Sequence, residues 1–425
     1  MLRELGVDYY RFSVSWPRIM PTGFPNSLNE KGLQYYDNLI DELLKYNIEP
    51  MVTLYHFDLP QALQDLGGWA NPLSQYWFED YAKVLFGRYA SKVKYWITLN
   101  QPNSICMSGY GGTNEAPGVD SKGIGEYMCV KNTLLAHGRA YRLYGKEFKN
   151  KHKGSVGLAL SVNWFDPIDN STENVQATEE YREFVIGMFM NPIWSKEGNF
   201  PRIVREKVAK KSKEQGFFRS RLPELSAEEV KLLKGSADFL GVNHYTTQLV
   251  KRSQTQHTAP SFADDVNVEC SYRELWTSSE APWLKNVPYG IYRSLVWINL
   301  QYNYPTLFIT EHGWATGAGL RDGSRVDNLR QYLDALLVAI EDGTNCRGYT
   351  HWSLMDNVEW MAGTSQRFGL YAVDFDSSNK TRTARLSALV YKRIIETRLV
   401  DKQWVPDNLR IDISNRKSKK TKDEL

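Results

Sequence analysis

Short apolar runs alternate with amphipathic stretches along the whole chain. The apolar runs are rich in β-branched and aromatic residues, which is typical of buried strands. They predict strands over residues 8–15, 50–57, 94–100, 154–163, 237–245, 306–311 and 347–355. Between the runs, apolar residues recur with helical spacing, as at Leu33, Tyr36, Ile40 and Leu43. This spacing predicts helices over residues 30–46, 72–90, 125–149, 173–213, 290–303, 325–341 and 383–398.

Strands that alternate with helices in this order form a parallel sheet with right-handed crossovers. The seven predicted units are one short of the eight that close a barrel. We therefore expect an α/β fold, a (β/α)8 TIM barrel that lacks its first strand. The alternative is an open doubly wound sheet, but no early strand is followed by a glycine-rich phosphate turn. Residues 1–415 are expected to form this single domain, and residues 246–283 to form loops over its pocket.

The two ends of the chain carry different signals. The last four residues, Lys422-Asp423-Glu424-Leu425, form an endoplasmic-reticulum retention signal that follows a basic tail beginning at residue 416. The first residues show neither the charged nor the apolar region of a signal peptide. We therefore expect an N-terminally truncated chain from a longer parent of the secretory pathway, held in the lumen by the retention receptor. The Asn-x-Thr sequons at Asn170 and Asn379 are compatible with glycosylation there.

Composition excludes several classes of protein. The net charge of the 425 residues is only +3, so a nucleic-acid partner is not expected. No run of 18 apolar residues is present, which excludes a membrane-spanning segment. The cysteines are widely spaced and show no metal-ligand pattern, and whether any two pair is left open. The aromatic content of 13% provides core residues and also flat faces on which sugar rings can stack.

Polar side chains end the apolar runs at four predicted strand ends. The clearest case is Glu311, which follows the apolar run 306–310 and precedes His312 and a glycine. Taken alone, Glu311 would fit a strand-end acid in a surface salt bridge better than a catalytic group. Similar ends occur at residues 53–58, 98–102 and 351–360. Because carboxyl ends of parallel strands meet at one mouth, these segments are expected to converge on one site.

These motifs together resemble those of glycoside hydrolase family 1, in particular its insect and animal β-glucosidase, myrosinase and lactase-phlorizin hydrolase group. The resemblance runs from residue 1 to about residue 410. It implies a TIM barrel that hydrolyses β-glycosides with retention of configuration and without a metal or other cofactor. Such enzymes use two carboxyl groups about 5–5.5 Å apart, one as nucleophile and one as acid and base.

The resemblance assigns the nucleophile and its two partners. Glu311 matches the nucleophile of the family motif Thr-Glu-Asn-Gly, with His312 in the asparagine position. Arg11, in Tyr-Arg-Phe-Ser, matches the arginine that keeps the nucleophile ionised, because a neighbouring guanidinium lowers a carboxyl pKa. Tyr245 matches the tyrosine that donates a hydrogen bond to it. The alternative for Arg11 and Tyr245 is ordinary polarity of a barrel core.

The resemblance also implies a sugar-binding set, in which an acceptor carboxylate and aromatic faces suit a neutral hexose. Glucose is the first expectation, with galactose and fucose as alternatives. The matching residues are His56, Asn100, Trp352, Glu359, Trp360 and Phe368. The strand that is expected to be missing carries, in this family, a further sugar-binding glutamine with no counterpart here.

Gln101 is the important departure from the family. The acid/base motif is Thr-Leu-Asn-Glu-Pro, whereas this chain has Gln101 in place of the glutamate. An amide neither gives nor takes a proton, and general acid–base catalysis typically contributes about 10²–10⁴-fold. Three interpretations remain open. The chain is an enzyme for activated aglycones or for transfer to a non-water acceptor, a sugar-binding pseudoenzyme, or a conventional β-glucosidase in which Gln101 was introduced to trap substrate.

Overall fold

A parallel seven-stranded sheet curves around the centre of the molecule. The computed structural model describes residues 1–255 and 259–411. All neighbouring strands of this sheet are parallel, and they follow one another in chain order. The strands are β1 (Tyr9–Ser13), β2 (Glu49–Tyr55), β3 (Tyr95–Asn100), β4 (Ser155–Ser161), β5 (Phe239–Asn243), β6 (Leu307–His312) and β7 (Cys346–His351).

Helices connect the strands and cover the outside of the sheet. Their beginnings follow from local chemistry, since the Asn29 side chain accepts a hydrogen bond from Gly32 N, and Ser226 forms a capping box with Glu229. The longer helices are Glu30–Lys45, Ser74–Tyr89, Gly125–Glu147, Thr172–Arg182, Met188–Trp194, Arg202–Glu214, Ala227–Leu233, Tyr289–Tyr302, Gly323–Glu341 and Leu386–Thr397. Shorter helical turns span Leu2–Leu5, Trp16–Ile19, Gln61–Asp65, Gly68–Ala70, Pro102–Ser104, Ile105–Gly109, Lys149–His152, Glu183–Gly187, Phe262–Val266 and Trp360–Ala362.

Two apolar layers hold the barrel together. The larger layer lies between strands and helices and includes the fully buried rings of Trp16, Trp69 and Trp96. The smaller layer fills the inside of the barrel, where Phe239 and Phe308 meet edge to face with ring centroids 5.2 Å apart. These bulky side chains fill one end of the barrel. The polar residues of the strand ends lie at the opposite mouth.

The barrel is open along one line, the seam between β1 and β7. Within the described residues, β1 pairs only with β2, and β7 pairs only with β6. Every residue of β1 is partly exposed, whereas β6 is buried throughout. Side-chain contacts cross the seam in place of backbone hydrogen bonds. Tyr9 OH, for example, lies 2.9 Å from Thr350 Oγ1. The expected barrel of seven parallel strands is therefore confirmed.

Residues 246–283 differ from the sequence prediction, which treated them as irregular loops. They contain the strands Thr247–Arg252 and Val268–Ser271, which form a small side sheet with Trp164–Pro167. Apolar positions of Thr247–Arg252 are buried on that sheet, which explains why this segment is ordered into strands. A short hairpin, Tyr371–Val373 with Arg382–Ala384, was also not predicted. The retention signal and basic tail lie outside the described residues.

Candidate active site

Glu311 lies at the end of β6 and is 3% exposed. Each of its carboxylate oxygens has a different partner. Arg11 Nη1 donates to Oε1 at 2.6 Å, and Tyr245 OH donates to Oε2 at 2.9 Å. Burial, followed by the charge of Glu311, raises the pKa of Tyr245 well above its ordinary value, so this hydroxyl remains a donor. A buried carboxylate is thus held by a cation on one side and a hydroxyl on the other.

Arg11 connects three strands at the barrel mouth. Its guanidinium donates to Thr53 Oγ1 on β2 at 3.2 Å and to the Thr310 carbonyl on β6 at 3.1 Å. It also donates from Nη2 to Asn100 Oδ1 on β3 at 2.6 Å. The side chains of Arg11 and Glu311 are each 4% exposed, so the two charges are shielded from solvent and depend on one another.

The donors of Arg11 fix the orientation of several amides in turn. A guanidinium can only donate, so the Asn100 atom that faces Arg11 must be Oδ1. Asn243 also contacts that oxygen, at 2.9 Å, and must therefore present Nδ2. The same nitrogen lies 2.9 Å from Gln101, which must present Oε1. The Gln101 amide nitrogen then points to Ser104 Oγ, 2.9 Å away.

The same logic fixes the tautomer of His56. Asn100 presents Oδ1 to Arg11, so its Nδ2 faces His56 Nε2 at 3.1 Å and donates to it. Burial, and secondarily the charge of Arg11, lowers the pKa of His56 to about 3, which keeps the ring neutral. The ring proton therefore resides on Nδ1, where it can be donated to a ligand.

Gln101 occupies an unusual backbone position between β3 and the helix Pro102–Ser104. Its φ of 42° lies in the left-handed region, which is rare for a residue with a side chain. The backbone N–H of Gln101 donates to the Ala159 carbonyl on β4 at 2.7 Å, and its own carbonyl accepts from Ser104 N at 3.0 Å. Proline at the first position of the following helix suits this sharp turn. The backbone thus directs the Gln101 side chain towards Asn243.

Aromatic rings and a second carboxyl group form another wall of the site. The rings of Trp352 and Trp360 each have centroids 5.7 Å from the His56 ring. Trp352 Nε1 donates to Glu359 Oε1 at 3.2 Å. Burial raises the pKa of Glu359 to about 7, with the negative charge of Glu311 adding to the shift. At neutral pH the Glu359 carboxyl group can therefore both donate and accept hydrogen bonds.

Phe368 lies on the far side of the site. Its ring lies edge-on to Tyr245 with centroids 6.4 Å apart, and it packs in a buried apolar cluster that Trp352 also contacts. Hydrogen bonds and ring contacts therefore connect all of the residues that the sequence analysis selected. The connected set is Glu311, Gln101, Arg11, Tyr245, His56, Asn100, Trp352, Glu359, Trp360 and Phe368.

Sequence reasoning missed residues that position this set. Asn243 is fully buried, donates to Asn100 and Gln101, and accepts from Thr310 Oγ1 at 2.6 Å. The available signal was its place two residues before Tyr245 at a strand end. His312 is buried behind the site, with Nδ1 2.7 Å from Tyr349 OH. Burial lowers the pKa of His312 well below its ordinary value, so this ring is neutral.

The site connects to the seam. A cavity of about 340 Å³ is lined by Tyr9, Arg11 and His56 on one side and by Thr350 and Trp352 on the other. Among residues 1–255 and 259–411, no cluster of acidic, histidine or cysteine side chains could hold a metal ion. No helix in that part of the chain is long and apolar enough to cross a membrane.

Comparison with known proteins identifies the family of the chain. The model of Glycosyl hydrolase family 1 matches residues 1–399. Myrosinase 1 of Brevicoryne brassicae is 42% identical over 400 residues, which are 93% of this chain and 85% of that protein. The human lactase-like protein is 39% identical over 402 residues, covering 93% of this chain and 70% of that protein.

Solved structures show the same similarity. The aphid myrosinase structure superimposes with a TM-score of 0.88 at 42% identity, covering 93% of this chain and 85% of that one. A rice β-glucosidase superimposes with a TM-score of 0.85 at 34% identity, covering 92% and 84%. That rice protein is a Glu-to-Gln mutant in a covalent complex with glucose.

Proposed function

Because the chain belongs to glycosyl hydrolase family 1, we propose that it is a β-glucosidase-like enzyme that transfers a sugar through a covalent bond to Glu311. Its substrates are O- or S-β-glycosides whose aglycone leaves without being protonated. The glycosyl group then passes to water slowly, or to a non-water acceptor. The observation that carries this proposal is the buried Glu311 carboxylate between the Arg11 guanidinium and the Tyr245 hydroxyl.

Both partners of Glu311 favour a nucleophile that is charged before the reaction. Arg11 stabilises the anion by an ion pair of 2.6 Å, and Tyr245 orients the other oxygen. Attack of a Glu311 oxygen on C1 expels the aglycone and inverts the configuration. A second attack from the opposite face releases the sugar and inverts it again, so the overall outcome is retention.

Gln101 limits the choice of aglycone. Its amide accepts from Asn243 and donates to Ser104, and it has no proton to transfer to a leaving group. Thioglycosides and acidic phenolic glycosides do not require that proton. The rice β-glucosidase supports the proposed covalent intermediate, because that relative, as a Glu-to-Gln mutant, is in a covalent complex with glucose.

The sugar is proposed to be glucose, with galactose and fucose as competitors. The neutral His56 would donate from Nδ1 and Asn100 from Nδ2 to hydroxyls on one side of the ring. Glu359 would bind hydroxyls on the other side, and Phe368 would line the far edge. Trp352 and Trp360 lie beside His56. Trp352 would supply the face on which the ring stacks, and Trp360 would contact the hydroxyls of the sugar.

Rapid mixing with dinitrophenyl β-glucoside tests the proposal. We expect a burst of dinitrophenolate close to one equivalent per protein, because the first step needs no proton and the second step lacks a base. Glu311→Gln is the matched control and should show no burst. Saturable binding of the glucoside without any burst would instead support the sugar-binding pseudoenzyme. Rapid steady turnover of unactivated alkyl glucosides would contradict the restriction attributed to Gln101.

We also propose that the protein works in the lumen of the endoplasmic reticulum. Cys106 and Cys129 form a disulfide, which suits an oxidising compartment, and both sequons lie on exposed residues. We expect a glycosidase-sensitive decrease in mobility for protein made in the secretory pathway. When the chain is expressed behind an added signal peptide, we also expect secretion of a variant that lacks residues 422–425. Intracellular retention of that variant would count against the role of the retention signal.

A further inference from the structure

The cavity along the seam shares walls with the sugar site. Its volume is about 340 Å³, and the residues that line it include Arg11, His56 and Trp352, which also belong to the site. Glu359, on another wall of the site, is not among them. Binding pockets for small molecules begin at about 300 Å³. A sugar whose C1 lies at Glu311 therefore has this space beside the edge of its ring that faces His56.

His351 presents an unused polar group to this cavity. It ends β7, is 7% exposed and lines the cavity, and within the described part of the chain neither of its ring nitrogens has a hydrogen-bond partner. Burial lowers the pKa of His351 to about 3, with the charge of Arg325 adding to the shift, so the ring is neutral. A neutral imidazole has one donor and one acceptor. Because buried polar atoms are rarely left unpaired, these two nitrogens indicate a ligand with hydroxyl groups.

The other walls of the cavity also suit a sugar ring. Tyr391 lines the cavity and provides an aromatic face, with its ring centroid 6.0 Å from that of His351. Tyr9 OH and Thr350 Oγ1 form a polar pair across the seam at 2.9 Å, and both residues line the cavity. A purely apolar ligand would leave the His351 nitrogens unpaired, which costs free energy in a buried site. A second sugar residue satisfies both the aromatic and the polar walls.

The order of contacts along the site indicates which hydroxyl of the first sugar faces the cavity. Arg11 contacts both Glu311 and Asn100, and Asn100 in turn contacts His56. This wall therefore runs from the nucleophile to the cavity. A hexose that lies along it with C1 at Glu311 presents its 2-hydroxyl to Asn100 and its 3-hydroxyl to His56. A substituent on the 3-hydroxyl enters the cavity, whereas the 6-hydroxyl, on the opposite edge of the ring, faces Glu359.

We propose that the natural substrates are β-glycosides of a 3-linked diglucoside, whose second sugar occupies the seam cavity and binds His351. This inference rests on the proposed function, since the first sugar is still transferred to Glu311. In that step a Glu311 oxygen forms a bond to C1 as the bond from C1 to the aglycone breaks, and the aglycone leaves with the electron pair. The bond between the two sugars stays intact, so Glu311 carries a disaccharide ester.

A comparison of linkage isomers tests the proposal. The dinitrophenyl β-glycosides of glucose, laminaribiose and gentiobiose share one leaving group, and the two disaccharides differ in whether the second glucose is attached at the 3- or the 6-hydroxyl. We expect the second-order rate constant of the burst to be more than about tenfold higher for the laminaribioside than for the glucoside, because the second sugar adds binding energy to the transition state. The gentiobioside should react more slowly than the glucoside. Mass spectrometry after the laminaribioside burst should show a dihexosyl ester on Glu311.

Two variants test the contact with His351. His351→Phe keeps an aromatic ring and removes both nitrogens, so the ratio of the laminaribioside rate constant to the glucoside rate constant should fall about tenfold. His351→Gln keeps a donor and an acceptor and should retain part of the ratio. Each ratio is measured within one protein, so a change in the folded fraction cancels. An unchanged ratio in His351→Phe would overturn the role given to this residue.

The possible failures are distinguishable. A burst with the glucoside but no gain for the laminaribioside, or an equal gain for the gentiobioside, would overturn the diglucoside proposal and leave the proposed function intact. A monohexosyl ester formed from the laminaribioside would do the same, because the outer sugar would then occupy the site at Glu311. Absence of a burst with all three glycosides would overturn both proposals.

Discussion

Gln101→Glu places a titratable group where the structure already provides the contacts that a carboxylate needs. Asn243 Nδ2 lies 2.9 Å from the Gln101 Oε1 position, and Ser104 Oγ lies 2.9 Å from the Nε2 position. Asn243 would donate to the new carboxylate, and Ser104 would reverse its role from acceptor to donor. Both hydrogen bonds favour the ionised form, which is the base of the second step.

The magnitude follows from the two proton transfers that become available. General acid–base catalysis typically contributes about 10²–10⁴-fold, equivalent to about 3–5.5 kcal/mol of activation free energy. We expect kcat/KM for an unactivated alkyl β-glucoside to rise within that range. The gain for dinitrophenyl glucoside should be much smaller in the first step, because its leaving group needs no proton.

The assay is steady-state hydrolysis of both glucosides from acid to alkaline pH. For the variant, we expect a bell-shaped profile of kcat/KM with the alkyl glucoside. Gln248→Glu is a suitable control, since it makes the same chemical change on the side sheet, where Gln248 donates to Tyr272 OH. A rise of less than tenfold in Gln101→Glu, or an equal rise in Gln248→Glu, would refute the reasoning.

Three further measurements test other parts of the structure. Tyr245→Phe removes the 2.9 Å hydrogen bond to Glu311, and the burst rate constant should fall about tenfold to a hundredfold; an unchanged rate would contradict an orienting role. Burial holds the pKa of Glu359 at about 7, above its ordinary 4.5, so its contribution to stability is complete below pH 4.5 and is lost as the pH rises through 7. Urea unfolding should therefore show a smaller loss of stability between pH 5 and 8 in Glu359→Gln than in the unmodified chain, and equal losses would contradict the shift. An N-terminal extension that adds one strand at the seam should raise the Tm by pairing the free edges of β1 and β7, whereas an equal Tm would show that these edges cost nothing.

The sequence predicted the barrel because each buried strand has a strong local signature. The run 306–310 is apolar throughout, and Glu311 follows it at the mouth, where parallel strands end together. The alternation of strands and helices alone could then place Glu311 and Asn100 at the same mouth of the barrel. The residue roles required the family motifs as well, because a single strand-end acid also fits a salt bridge.

Other features depend on distances that no local pattern encodes. Asn243 positions Gln101 and Asn100 across two strands, and an isolated buried asparagine gives no sign of its partners. The side sheet was missed because its strand Val268–Ser271 is short and partly exposed. The pairing of Cys106 with Cys129 depends on a Cα separation of 5.3 Å, which the fold sets and the spacing does not.

The most direct test of the central claim is the location of the covalent sugar. The protein is incubated with dinitrophenyl β-glucoside, quenched in acid, digested and analysed by tandem mass spectrometry. The ion pair and the hydrogen bond at Glu311 predict a single ester-linked hexose on the peptide that contains this residue. A hexose on another residue, or an unmodified Glu311 after full exposure to the substrate, would contradict the account.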